Sequence, residues 1–402
     1  MQILKSSFKT IRFSLLPCHE NAFYKISTSF IFKKCLRSIL LTIFFWPSLC
    51  LSYEQDTLIK TDQLNDTIRQ SLMVSHEFTG LSSFYNNIYV FSISEGMLSR
   101  MEKHKDYEFS QPTGIAIAAR NKVLFLSDVT GKVNFSGSDF TEASLTASKK
   151  TSATVLLKSV LKDYYPILAD IHFFHLWKPL RFLAIKIESL LVLLNNMHSL
   201  GMGLSIFLLS FLYKMVIFPV SYMNHLQQNK VSQIKSKLTP ALDQIKKSYT
   251  GEEAHRKYIE AHKNFGVTPY YSLRPFLTTL VPIPVLIAIF NVLGESSFLI
   301  SEPFLWVNSL SVPDCILELN FTIPVLGECL RLLPIFMLTV SVISALFYKN
   351  KSINPFLVKR KKLNIISLSI ILFILFYPFP SAMILFWLST TVISTLMQRL
   401  YE

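Results

Sequence analysis

The chain has 402 residues, half of them hydrophobic, with 13% aromatic and only 16% charged side chains. Soluble globular proteins carry about 25% charged residues, so the composition excludes an ordinary soluble protein and points to a bilayer as the solvent for part of the chain. Lys and Arg number 40 against 26 Asp and Glu, a net charge of +14. On a chain this apolar, the excess fits the cytoplasmic loops of a membrane protein and argues against nucleic-acid sequence recognition.

Residues 1–52 read as a targeting segment. Lys33, Lys34 and Arg37 precede an apolar run from Ser38 to Ser52 whose length and basic flank suit a signal peptide, with Cys50 and Ser52 small enough to flank cleavage before Tyr53. Retention as a short N-terminal anchor is the other reading. A mitochondrial presequence is a third, because Glu20 is the only acid before Ser38. From 53 to 163 the chain is polar, with short runs (NIYVFSI, GIAIAA, KVLFLSDV, KVNFSG) bounded by turn residues. These predict strands of a small, mostly β, extracytoplasmic domain. Residues 164–202 then set Trp177, Phe182, Ile185, Leu190, Leu191 and Leu194 among Lys178, Arg181, Lys186 and Glu188, the pattern of an amphipathic helix lying at a membrane interface.

The region 203–399 holds five apolar segments: Gly203–Tyr222, Phe276–Ile300, Leu330–Tyr348, Leu363–Phe379 and Ser381–Met397. Each falls in the range of about 17 to 25 residues that a transmembrane helix needs. Pro378 and Pro380 force a tight reversal between the last two. Between the first two, residues 223–265 read as a charged helical hairpin broken at Thr250-Gly251. Its apolar face carries Ile234, Leu238, Leu242, Ile245 and Tyr249. That hairpin and the loop Lys349–Lys362 are rich in Lys and Arg, whereas the connection between spans two and three carries Glu302, Asp314, Glu318 and Glu328. The positive-inside rule therefore puts the hairpin and the C-terminus in the cytoplasm, and the β domain outside. The fold class predicted is an all-α polytopic membrane protein with a small β-rich N-terminal domain.

Lys214, near the middle of the first span, is the most informative residue. A cation there costs roughly 2.5 to 3.5 kcal/mol on insertion scales, so something polar must meet it. At 100° per residue Ser210, Lys214 and Ser221 share a face, and in the last span Trp387, Thr391 and Ser394 share another. Together they predict a polar cavity. The alternative is a lysine that snorkels to the cytoplasmic headgroups, a reach of about 12 Å along the helix to Tyr222.

The five cysteines (18, 35, 50, 315, 329) are too few and scattered for a disulfide scaffold or a paired Cys zinc site. His255 and His262, with Glu252, Glu253 and Glu260, lack i, i+4 spacing on an exposed helix, and His172 and His175 with Asp170 belong to the interfacial region, so neither group reads as a metal site. No catalytic or nucleotide-binding motif is present, so the reading is a non-enzyme without cofactor. Cys315 and Cys329 fall in the loop placed outside, where an oxidising compartment would let them pair. Two free thiols are the alternative.

Over Trp177–Arg399 the chain resembles the YidC/Oxa family of membrane protein insertases. The resemblance is carried, in order, by the basic residue of the first span followed by Ile217-Phe218-Pro219, the charged hairpin, FGVTP at 265–269 with Pro275, FLWVNSLSVPD at 304–314, LLPIFM at 332–337 and FPSAMILFWLST at 379–390. The family usually has Arg where this chain has Lys214, and Asn where it has Thr268; residues 315–330 look like an insertion. The resemblance implies a hydrophilic groove open to the cytoplasm and the lipid, lined at Ser210, Lys214 and Trp387, that receives polar parts of nascent membrane proteins. It implies the bacterial inner membrane, or less directly the mitochondrial one, and work alone or beside the Sec translocon; the charged hairpin itself reads either as a docking surface for an acidic or RNA-rich partner such as the ribosome or as a solvated connector. A transporter or channel binding an anion at Lys214 is the alternative from another class, and an assembly factor for a few respiratory subunits is a third.

Overall fold

The computed structural model describes residues 55–59 and 78 and, with short gaps, 80–399; the gaps are 95, 103–104, 137–141, 146–150, 159–160, 162–165, 199–200, 269, 272–275, 277, 279, 324–326 and 349–354. The expected targeting segment 1–52, and Pro269 and Pro275 of the family-like motif, lie outside the described residues.

The N-terminal part is an antiparallel sheet of seven strands, β1 (Gln55–Ile59), β2 (Tyr89–Ser94), β3 (Met97–Arg100), β4 (Asp106–Ala118), β5 (Lys122–Ser136), β6 (Glu142–Leu145) and β7 (Thr151–Leu157). Its order is β1-β7-β5-β4-β2-β3, with β6 also on β5. Alternation along the central strands sorts side chains to two cores. Val90, Ile115, Ile117, Leu124 and Leu126 fill one face, and Phe91, Ala116, Ala118, Val123 and Phe125 fill the other, under Leu168 and Ile171. KVLFLSDV and KVNFSG, expected as separate strands, are one strand, β5. Asp128 and Gly131 take φ values of 58° and 97° opposite register shifts in β4, so the turn-like residues bulge the strand and do not end it.

Seven helices are described in the remainder. The amphipathic α1 (Lys178–His198) buries Ala184, Ile187 and Leu191 and leaves Phe182 and Ile185 exposed, with Trp177 exposed just before it. Then come α2 (Met202–Ser248) and α3 (Gly251–Asn264). The first apolar segment and the first arm of the hairpin are therefore a single 47-residue helix, with Pro219 and Pro240 inside it. The hairpin breaks at Tyr249-Thr250, where Gly251 supplies a φ of +64°.

The second apolar segment departs most from expectation. In place of one helix over Phe276–Ile300, Phe276, Thr278 and Leu280 are helical, Val281 and Pro282 form a turn, and α4 then runs from Ile283 to Glu295, with Pro284 in its first turn and a 3₁₀ turn, Ser297–Leu299, after it. Pro282 and Pro284 cannot donate to the preceding turn, so α4 starts at them. A ribbon of β8 (Leu317–Ile323) and β9 (Gly327–Leu330) follows, closed by a disulfide between Cys315 and Cys329 with Cα atoms 5.6 Å apart. The last three helices are α5 (Leu332–Phe347), α6 (Pro355–Phe376) and α7 (Ser381–Arg399). Lys359 to Lys362, expected in a loop, lie in the first turns of α6. Among the described residues one helix, α2, is by itself long and apolar enough to cross a membrane; α4, α5 and Ser381–Met397 are apolar and shorter.

The bundle packs α2 on α1 and α7, α4 on α1 and α7, and α5 on α6 and α7. The β domain sits on the end of this bundle where α4 finishes. The two-residue turn Arg120-Asn121, closed by Ala119 N–H donating to Lys122 at 2.9 Å, carries Arg120 to the carbonyls of Gly294 and Ser311. A cation suits the carbonyl end of a helix. Gly294 is required here, because any Cβ would collide with Tyr85, whose hydroxyl reaches Met383 Sδ at 3.6 Å. Burial pushes the Tyr85 phenol above its ordinary range, so this interfacial ring stays neutral.

Candidate functional site

Lys214 is positioned by the apolar pattern of α2. Ile206, Leu209, Ser210, Tyr213 and Ile217 form the buried stripe of that helix, while Phe207 and Phe211 are exposed. At 100° per residue, Lys214 falls on the boundary between the two, and it is half-buried. Its Nζ lies 5.7 Å from the centre of the Tyr213 ring. Among the described residues it has no carboxylate or hydrogen-bond acceptor. The cation therefore stands beside an aromatic face, half-buried and with no counter-charge among the described residues.

The surroundings of Lys214 follow from helix order. Among the described residues α2 packs along α1 and α7 but makes no extended packing with α5 or α6, so α7 is the back wall of a gap between α2 and the α5–α6 pair. The gap is bridged at the hairpin end. Lys361 Nζ of α6 donates to Gln228 Oε1 of α2 at 3.3 Å and to the Tyr348 hydroxyl at 2.8 Å; separately, Thr278 Oγ1, ahead of α4, donates to Gln227 Oε1 at 3.0 Å. These polar crosslinks escape a sequence reading that counts Lys361 only as loop charge. A glutamine pair one turn beyond the apolar run of the same helix is the signal that was there to find.

The other expected site residues divide. Ser210 is fully buried against α7: its hydroxyl donates to Ile206 O at 2.8 Å and lies 3.4 Å from Phe386 O. It packs two helices together and lines no open space. Ser221 is exposed, about three turns further along α2. Trp387 stacks among Phe290 and Phe376, with ring centres 6.0 and 5.3 Å away, and Thr391 donates back to the Trp387 carbonyl at 2.9 Å. Thr395 crosses to Ser344 of α5 at 2.9 Å. Serine and threonine in apolar helices bond their own preceding turn for want of water, and most of these do. The four histidines weighed as metal ligands are spent otherwise or stand apart: His172 pairs with Glu188 at 3.2 Å, His175 with Asn291 at 2.6 Å, and His262 with the Tyr258 carbonyl at 2.8 Å, while His255 is exposed.

At the opposite end of the gap, Asp314 holds the start of α5. Its Oδ2 accepts from the amides of Leu332 and Leu333 at 2.7 and 2.9 Å, the place where a helix has unpaired N–H groups. Arg331 beside it donates to the Tyr377 carbonyl at 2.5 Å. This lock ties the disulfide-closed ribbon to both α5 and the α6–α7 turn.

Residues 193–402 match the sequence model of the 60Kd inner membrane protein family. Among curated proteins the chain is 30% identical over 205 residues to the membrane protein insertase YidC of Chlorobaculum parvum, covering 50% of this chain and 33% of that one. It is 31% identical over 187 residues to the protein of that name from Chlorobium phaeovibrioides, and 32% over 185 residues to that from Chlorobium luteolum, each covering 46% of this chain and 28% of the relative. The chain thus spans about a third of the length of the curated relatives it matches.

Proposed function

Because the chain belongs to the 60Kd inner membrane protein family, known also as YidC/Oxa, we propose that it is a membrane protein insertase acting in the bacterial inner membrane on nascent membrane proteins. The observation that carries this reading is Lys214, a half-buried cation with no acidic partner among the described residues, beside the gap between α2 and the α5–α6 pair. A positive charge in a low-dielectric recess attracts the acidic extracytoplasmic tail of a substrate and lowers its transfer barrier. Lysine supplies the charge without the planar fork of arginine, so attraction here is by charge more than by bidentate geometry. The recess needs no cofactor for this work.

In this reading the apolar helices of the bundle cross the bilayer, the β domain and the disulfide-closed ribbon lie outside, and the α2–α3 hairpin stands in the cytoplasm. The basic hairpin is then the surface for the ribosome, and the bundle works alone or beside the Sec translocon. Reconstitution in liposomes tests the proposal: the full chain should insert a short single-span protein with an acidic tail, and Lys214→Ala should insert it more slowly. Solute flux through the same liposomes with no insertion would replace this reading with a transporter.

A further inference from the structure

A cavity of ≈ 660 Å³ opens between the arms of the α2–α3 hairpin, near its base. Lys230 and Lys263 stand on opposite walls, and Ile234, Ile259, Val267 and Tyr271 supply apolar lining. Among the described residues no carboxylate lines it and neither lysine has an ion-pair or hydrogen-bond partner; the nearby Glu260 is taken by Lys257 at 3.0 Å. Two uncompensated cations over an apolar floor make a surface that is complementary to a group with an anionic head and a hydrocarbon body.

The position along α2 selects among such groups. The apolar run ends at Tyr222, and Lys230 lies eight residues on, about 12 Å at 1.5 Å per residue. The headgroup layer extends roughly 5 to 8 Å beyond the hydrocarbon on each side, and a lysine side chain reaches several ångströms back towards it. The cavity rim is therefore at phosphate depth, where Lys361 and Lys362 of α6 also sit, Lys361 by its bond to Gln228. A flat, fully polar surface would suit a nucleic-acid backbone; this one is concave and half apolar.

We propose that the hairpin cavity is a binding site for an anionic phospholipid, its phosphate between Lys230 and Lys263 and its glycerol and upper chains over Ile234, Ile259 and Val267. The site rests on the membrane placement of the proposed function. Bound lipid would hold the hairpin base at a fixed height and angle on the bilayer.

The test uses the full chain in nanodiscs of mixed phosphatidylglycerol and phosphatidylcholine, released into native mass spectrometry. Wild type should retain phosphatidylglycerol in preference to phosphatidylcholine. Lys230→Gln with Lys263→Gln should bind it about thirtyfold more weakly, from two lysines near an anionic surface. Lys246→Gln with Lys247→Gln removes the same charge from the exposed far end of α2 and should change nothing. Equal loss in both double variants, no preference between the lipids, or displacement by inorganic phosphate or a short polyglutamate peptide as readily as by phosphatidylglycerol would overturn the site. All four lysines are exposed, and matching thermal unfolding curves exclude a folding defect. Retention is read without any insertion assay, so a chain that binds lipid but does not insert overturns only the insertase reading, and the reverse result overturns only the lipid site.

Discussion

Lys158, the residue after β7, lies 3.4 Å from Glu295, the last residue of α4, and both side chains are nearly closed to solvent. The second carboxylate oxygen of Glu295 is 3.4 Å from His175, so one acid joins the β domain, the segment leading to α1 and the helix end. Removing one member of a buried pair strands the other, at a cost of about 3–5 kcal/mol. Glu295→Ala should therefore destabilise the chain by that order, and more than Lys158→Ala, because it strands the Lys158 ammonium, whereas after Lys158→Ala the carboxylate keeps His175. Chemical unfolding in detergent measures it; equal midpoints for Glu295→Ala and wild type would show that the pair holds nothing.

Asp314 caps α5 from outside the helix, a role its distance in sequence conceals. Asp314→Ala should cost about 0.5–2 kcal/mol, the usual range for loss of a cap, and expose the amides of Leu332 and Leu333. Asp314→Asn keeps a carbonyl acceptor and should recover part of the loss. Hydrogen exchange resolved to the first turn of α5 checks both, and unchanged protection in Asp314→Ala would remove the cap from the argument.

The bond between Cys315 and Cys329 closes a loop with a sequence separation of 14, which the loop-entropy relation values at about 3 kcal/mol. If the ribbon lies in an oxidising compartment, an impermeant maleimide should label neither cysteine on intact cells until a reductant is added. Labelling without reductant contradicts the bond. Protection after reduction contradicts the outside placement.

For Lys214 the expectation separates charge from shape. Lys214→Arg should keep insertion near wild type. Lys214→Ala should slow it, most for substrates whose translocated tails carry Asp or Glu. Insertion rates compared across neutral and acidic tails decide this, and a uniform rate for Lys214→Ala on all tails would leave the cation without a role.

The coarse division into strands and then apolar helices is legible in the sequence because periodicity and length are local properties. The limits of α4 depend on two prolines whose effect on an apolar run is easily underestimated: hydropathy continues through Pro282 and Pro284, while backbone hydrogen bonding does not. The helical start of α6 is hidden for the opposite reason, since Lys359–Lys362 look like a loop by charge but are good helix formers. In the candidate site, spacing puts Ser210 and Lys214 on one face. It cannot tell that the face straddles a packed boundary, with Ser210 against Phe386 and Lys214 just past the contact. The pairs that hold the β domain on the bundle join residues 137 to 191 positions apart and leave no local trace.

The unbroken course of α2 makes Lys214 and the tip of the hairpin parts of one rod, about 70 Å long at 1.5 Å per residue. A torque or push applied at the tip therefore reaches the lysine without a joint to absorb it, apart from the compliance at Pro219 and Pro240. The two ends are also locked in angular phase: adding a single residue between Tyr222 and Gln227 would swing the hairpin by about 100° around the axis and advance it by about 1.5 Å relative to Lys214.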